Sequence, residues 1–251
     1  MKSPSPAVLF LLSAFILFSS GCVARNAADD MQKRMQERAR LRALEPTYLA
    51  NYDVLLSEVQ RPQDAQARFG ELKISQVDTG KGRIFQAEDQ LLRIVWTGPD
   101  AQLGFELLNK VDGPFKILWD ETAYVDIGGQ THRVIHSGVK LVDRNSPQPP
   151  SVIPSKGRLS DMAYSSDNVT FSQYGGWSQM PMFPCTREGY VCNDLNRKLV
   201  TAHTGLDYRV LLPIQVGKDT FPYTFVFRVV KGEVLTIPPK GEPQTKPEAA
   251  H

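Results

Sequence analysis

The chain has 251 residues, 22% charged and 41% hydrophobic, with 29 basic against 27 acidic side chains and a formal net charge of +2. That balance excludes a nucleic-acid binder working by charge alone, because phosphate contacts need a concentrated basic surface, and the apolar content excludes wholesale disorder. Eighteen Gly and eighteen Pro signal many turns, hence a β-rich fold rather than a helical bundle.

The chain opens on Met1-Lys2-Ser3-Pro4-Ser5-Pro6, an apolar run from Ala7 to Phe18, and Ser19-Ser20-Gly21-Cys22. One basic residue, a short apolar run and small residues at its end make a signal peptide over residues 1–21. The run is too short to span a bilayer, which needs about 20 apolar residues. Small residues followed at once by Cys resemble the lipobox of bacterial lipoproteins. The match lies at Gly21 and Cys22, while Ser19 stands where the family favours Leu. The resemblance implies a diacylglycerol on the Cys22 thiol, cleavage just before Cys22 and acylation of the new amino group. More than one acyl chain gives stable anchoring, so the partner implied is membrane lipid. In enteric members of the family an Asp after the Cys favours inner-membrane retention. Val23 stands there, which implies outer-membrane sorting with the body in the periplasm. Cleavage removes Lys2 and no acid, so the mature chain is close to neutral.

Residues 22–50 are read as the lipidated Cys22 and a polar helical stalk. Asp29 and Asp30 come early, and Arg38, Arg40 and Arg42 late, which suits the helix dipole. Met31, Met35 and Ala39 make a narrow apolar stripe, and Pro46 ends the pattern. A short coiled coil or partner-binding helix is the sharper reading of the same stripe.

Residues 51–237 read as one β-rich domain. Strand-like runs are Asp53 to Gln60, the group Leu72, Ile74 and Val77, Arg83 to Glu88, Leu91 to Thr97, Leu103 to Asn109, and Phe115 to Trp119. Leu92, Ile94 and Trp96 alternate with Arg93 and Val95, as a half-buried strand requires. Turns are expected at Gly80-Lys81-Gly82, Gly98-Pro99-Asp100 and Asp112-Gly113-Pro114. Tyr124 to Ile127 and Thr131 to Ile135 read as a hairpin over a two-residue Gly128-Gly129 turn. Asp143 to Lys156 is proline-rich and excluded from a central strand. Residues 157–205 show few periodic runs and read as a long irregular excursion. Tyr208 to Val216 and Tyr223 to Val230 form the last long hairpin, followed by Val234 to Ile237. The proline-rich tail, 238–251, is expected to be disordered. About nine short strands joined by turns favour a mainly β, antiparallel, immunoglobulin-like sandwich.

Cys185 and Cys192 follow the signal peptide and so face an oxidising compartment. Six residues separate them, which suits a disulfide across a short loop and not a CxxC redox pair. Without a nearby His or Cys pair they do not fill a zinc site. His132 and His136 have helical metal-ligand spacing in a strand-like context, where four residues span about 13 Å. No HExxH, GxSxG or phosphate loop occurs. Asp120, Glu121 and Asp126 read as solvated acids at a strand end. The expectation is therefore no catalytic residue, metal or cofactor. Tyr174, Trp177, Met180, Phe183 and Tyr190 crowd the excursion. They form either its private core or a recognition surface, because Trp, Tyr and Met are favoured at interface centres.

The function expected from these readings is a lipid-anchored envelope lipoprotein with a non-catalytic binding or assembly role toward an envelope protein partner. The alternatives are a lipid-anchored periplasmic hydrolase whose residues converge from distant strands, and a structural subunit of a trans-envelope complex.

Overall fold

A computed structural model describes residues 29–41, 45–79, 82–97, 103–187 and 192–239. The signal peptide, Cys22, the turns at Gly80-Lys81 and Gly98-Pro99-Asp100, Tyr190 and the tail from residue 240 lie outside the described residues. The chain forms two units, Met1–Thr47 with Thr236–His251, and Tyr48–Leu235. In the first, helix α1 covers residues 29–41 with every residue exposed. Arg34 pairs with Asp30 one turn earlier at 2.8 Å, and Met31 and Met35 face solvent. Among the described residues no helix is long and apolar enough to cross a membrane.

The second unit is mainly β. In chain order it holds β1 (Thr47–Gln60), α2 (Gln63–Phe69), β2 (Lys73–Thr79), β3 (Gly82–Glu88), β4 (Leu92–Thr97), β5 (Leu103–Asn109), β6 (Phe115–Ile117), β7 (Ala123–Val125) and β8 (Thr131–Ile135). Then come β9 (Ser151–Ile153), β10 (Arg158–Ser165), β11 (Val169–Ser172), β12 (Gly176–Gln179), α3 (Asp194–Ala202), β13 (Asp207–Val216) and β14 (Asp219–Ile237). Twelve strands make one sheet in the order β1-β14-β13-β7-β8-β10-β5-β4-β3-β2, with β6 and β9 branching from β13. From β2 through β3, β4, β5, β10, β8, β7 and β13 to β14, and on the β6 and β9 branch, the strands pair antiparallel.

Alternation creates the core. Leu92, Ile94 and Trp96 of β4 are fully buried, as are Tyr223, Phe225 and Phe227 of β14 within 1%. These two strands lie far apart along the sheet, yet Trp96 meets Phe225 at 5.0 Å and Phe227 at 5.6 Å. The sheet therefore curls over on itself and is nearly barrel-shaped. β10 makes the corner. Its first six residues pair with β5, and Tyr164 and Ser165 then pair with β8.

The irregular excursion expected over 157–205 is corrected in part. Its first segment is β10, a central strand that sequence periodicity hides because Ala163, Tyr164 and Ser165 are buried in succession at the corner. Helix α3 also falls inside it, begun by Asn193, whose side chain accepts from the Asn196 amide at 2.8 Å. The two-glycine turn is corrected too. Asp126 pairs with Gln130 through the main chain, and the Asp126 carboxylate accepts from the Gly128 and Gln130 amides, both at 2.9 Å. That side chain holds a longer turn than glycine alone would make. Between the prolines, β9 pairs only with β6, as an edge position allows.

A buried carboxylate, Asp89, lies between β3 and β4. Its carboxylate, fully screened from water, pairs with Arg61 at 2.6 Å and accepts from the Tyr223 hydroxyl at 2.7 Å. It also accepts from the amides of Leu91 and Leu92. Asp89→Ala is expected to cost about 3–5 kcal/mol, because it strands a buried guanidinium; denaturant titration measures it, and a loss below 1 kcal/mol would refute the role. Cys185 and Cys192 are joined, with Cα atoms 5.0 Å apart. Cys185→Ser should cost about 2–3 kcal/mol from loop entropy, read as a lowered melting temperature in non-reducing buffer.

Candidate functional site

β11 and β12 form a separate two-stranded hairpin. Phe171 lies opposite Trp177, and Val169 opposite Gln179. Directly opposed residues share a face, so Val169, Phe171 and Trp177 line one side. Thr170 and Ser178 line the other and bond at 2.9 Å. Val169 is buried with Ile135 and Tyr164, which anchors the base. The Tyr164 hydroxyl donates to the Asn168 carbonyl at 2.8 Å, and the Met180 amide donates to the same carbonyl at 2.7 Å. Beyond the base the apolar side chains are exposed to differing degrees. Phe171 is 63% exposed, Tyr174 at the tip 92%, and Trp177 and Met180 37% each. Phe171 and Trp177 touch at 5.2 Å between ring centres. Arg144 lies over the Trp177 ring at 5.0 Å, a cation–π contact.

Of the aromatic residues expected at a recognition surface, the hairpin thus collects Tyr174, Trp177 and Met180. Phe183 is corrected. It is buried in the main core, 4.7 Å from Tyr52 and 5.3 Å from Tyr208 between ring centres. It plugs the disulfide loop onto the body, where the Cys185 carbonyl accepts from the Ala50 amide at 2.7 Å. Among the described residues the expected private core is therefore not there either: Phe183 joins the body's core, and Tyr174, Trp177 and Met180 are exposed. Phe171 and Arg144 extend the surface and were missed. The alternation of Val169, Thr170, Phe171 and Ser172 before Gly175-Gly176 carried the hairpin signal. Arg144 is distant in sequence and had none.

The titratable groups are engaged separately. Asp120 binds Arg133 at 2.6 Å and accepts from the Gln148 amide at 3.1 Å. His132 sits between Asp126 at 2.9 Å and Asp167 at 2.7 Å. His136 stacks on Trp119 at 4.1 Å and bonds Asp161 at 3.1 Å. His203 lies across the body's other aromatic cluster, 3.3 Å from the Tyr52 hydroxyl. Among the described residues no group of three or more His, Cys, Asp or Glu side chains could hold a metal ion.

Partial burial disfavours the His132 cation, but its hydrogen bonds to the accepting carboxylates of Asp167 and Asp126, with their charges, outweigh it and raise the pKa above the ordinary value. His203 is shifted the other way, down, by burial alone. Burial also acts on Asp161, but the His136 hydrogen bond and two backbone amides outweigh it and hold its carboxyl below the usual range. The signs differ. The His132 contribution to stability is complete below the unfolded value of about 6.5 and is lost as pH rises through its raised folded pKa. The His203 contribution is present above about 6.5 and is lost as pH falls through its lowered pKa. Imidazole NMR titration should place the His132 midpoint above that of His203; the reverse order would contradict this geometry.

No family model, curated protein or solved structure matches the chain.

Proposed function

We propose that the protein is a lipid-anchored envelope lipoprotein, held through acylated Cys22 at the outer membrane with its body in the periplasm. Its role is non-catalytic, the binding or assembly of an envelope protein partner. The observation that carries the binding role is the hairpin of β11 and β12, whose Phe171, Tyr174 and Trp177 lie together and exposed. An isolated hairpin is marginal in water, and clustered exposed aromatics mark interaction sites. The anchor rests on the lipobox resemblance at Gly21 and Cys22. The exposed, polar helix α1 suits a spacer between lipid and body. The finer comparison with immunoglobulin-like sandwiches rests on the alternating strands and the last hairpin, and the role does not draw on it.

Two measurements test the reading. Cys22→Ala should move the protein from the membrane to the soluble envelope fraction, and unchanged fractionation would refute the lipid anchor. A photo-crosslinking residue at Tyr174 should yield one discrete adduct in cells that Trp177→Ser weakens at least several-fold, whereas the same residue at exposed Val142 should not. Equal adducts at both positions, or turnover of a glycan, ester or peptide by the purified protein at enzyme-like rates, would overturn the binding role.

A further inference from the structure

The main path of the twelve-stranded sheet ends at β1 and β2. Both border one open groove of about 510 Å³, which Ser57 to Arg61, Gln66, Glu71, Leu72 and Ile74 line. The groove is the seam at which the sheet fails to close into a barrel.

The backbone directions can be read from the bonds present. The Ala50 amide donates outward from β1 to the Cys185 carbonyl, and the Val54 carbonyl accepts from Arg83 of β3 at 3.1 Å. Both residues are even-numbered, and main-chain groups of alternate strand residues point the same way. The Leu56 amide and carbonyl therefore point into the seam; past it the packed residue is Val59, between exposed Glu58 and Gln60, so the alternation shifts before the end of the strand. On the other side, all seven residues of β2 are exposed. Ile74 lies opposite buried Ala87 and Gln76 opposite buried Phe85, so both are on the core-facing side of the sheet. Ile74 is nevertheless 39% exposed, because the opposing layer stops at β1. β2 has no proline and no bulge in its pairing with β3, two of the devices that blunt a free edge; its charges are Lys73 and Asp78, the latter engaged by Arg83.

The charges specify the occupant. Arg61 is engaged by Asp89 and the Gly70 carbonyl. Asp53 and Asp78, flanking the seam further along, are both engaged by Arg83. Lys73 lies opposite Glu88 on the outer face. The groove's remaining charges are the carboxylates of Glu58, which accepts from Gln60, and Glu71. Val59, Leu72 and Ile74 supply apolar contact.

We propose that the seam between β1 and β2 is a strand-addition site that takes an extended, lysine- or arginine-bearing peptide segment of a partner protein. Main-chain bonds to the free edges supply affinity, as in other strand additions, and alternate side chains supply selectivity. The partner's basic residues meet Glu58 and Glu71, and its alternate apolar residues rest on Leu72 and Ile74. This site is separate from the aromatic hairpin and does not depend on the lipid anchor.

The test uses the full mature chain and two synthetic decapeptides, one alternating Val with Lys and one alternating Val with Glu. Hydrogen exchange should show that the Lys peptide protects amides within 56–60 and 73–77, and the Glu peptide should bind at least tenfold more weakly, as two exposed ion pairs allow. Glu58→Gln with Glu71→Gln should abolish that preference without lowering the melting temperature. Trp177→Ser should leave the binding intact, so that failure here and failure of the hairpin reading are distinct results. Methylation of alternate peptide amides should abolish binding. Equal binding of the two peptides, or protection elsewhere, would overturn the proposal. Seam amides already protected in the free chain would assign the edge to this chain's own segments, and protection that rises with protein concentration alone would assign it to a second copy; either overturns it too.

Discussion

The carboxylate of Asp89 is the constraint on which the body depends. A lone carboxylate at that depth would be prohibitively expensive to desolvate. Here Arg61, Tyr223 and two main-chain amides surround it. Burial foremost, and then the Asp89 charge, push the Tyr223 hydroxyl far above its ordinary pKa, which keeps it protonated as a donor. Arg61 follows the last residue of β1, and its second bond goes to the carbonyl of Gly70, just past α2. Tyr223 belongs to β14. One buried charge thus joins the end of β1, the end of α2, the turn between β3 and β4, and the strand next to β1. Lys110 adds a bond to the Asp89 carbonyl and a pair with Glu88 at 2.7 Å.

The open seam follows from that arrangement. Arg61 and Asp89 pin its α2 end, and Arg83 spans Asp53 and Asp78 further along. Direct pairing of β1 with β2 would bring their backbones within about 5 Å. A guanidinium bonded to an acid on each strand, and to the Val54 carbonyl as well, occupies the space that such pairing needs. The ion pairs are mostly exposed and individually weak. Their effect on geometry is larger than their effect on stability, because Arg83 satisfies a carbonyl of β1 that a neighbouring strand would otherwise take.

The strands of the sheet were legible where one face is dry and the other wet. β5 matches Leu103 to Asn109 end to end and β4 follows its alternation closely, while β13 and β14 keep it over most of their length but bury Leu212, Pro213 and Ile214, and Phe225, Val226 and Phe227, in succession. Legibility failed where that rule fails. β10 turns a corner and buries three successive residues, so no period of two survives. Helix α2 is too short for a helical period, and only Ala65 and Phe69, one turn apart, mark its buried face. The disulfide was readable from compartment and spacing. The fate of Phe183 was not, because a Phe in a proline-rich loop gives the same local signal whether it faces solvent or plugs a core. The seam was least legible of all. It exists only through a long-range relation between the first and second strands of one sheet, and nothing near Glu58 or Glu71 in sequence announces it.

The two proposed surfaces would differ in what they recognise, and that difference bears on the proposed binding role. A free sheet edge reads main chain, which every protein offers, so it gives affinity with little discrimination beyond side-chain charge and size. The aromatic hairpin reads side chains, and its Phe171 and Trp177 pair is held against a base that Val169 and Asn168 fix. Aromatic anchors lose little entropy on contact, so they discriminate strongly for their area. A free edge that bound tightly by itself would also be an aggregation hazard. The lipid anchor proposed above would relieve this conflict. Tethering raises the local concentration of partner segments, so a modest main-chain contact and a modest aromatic contact together suffice where neither would alone. An open seam with uncompensated carboxylates is then an advantage: it stays soluble when empty and becomes sticky only toward a strand of opposite charge.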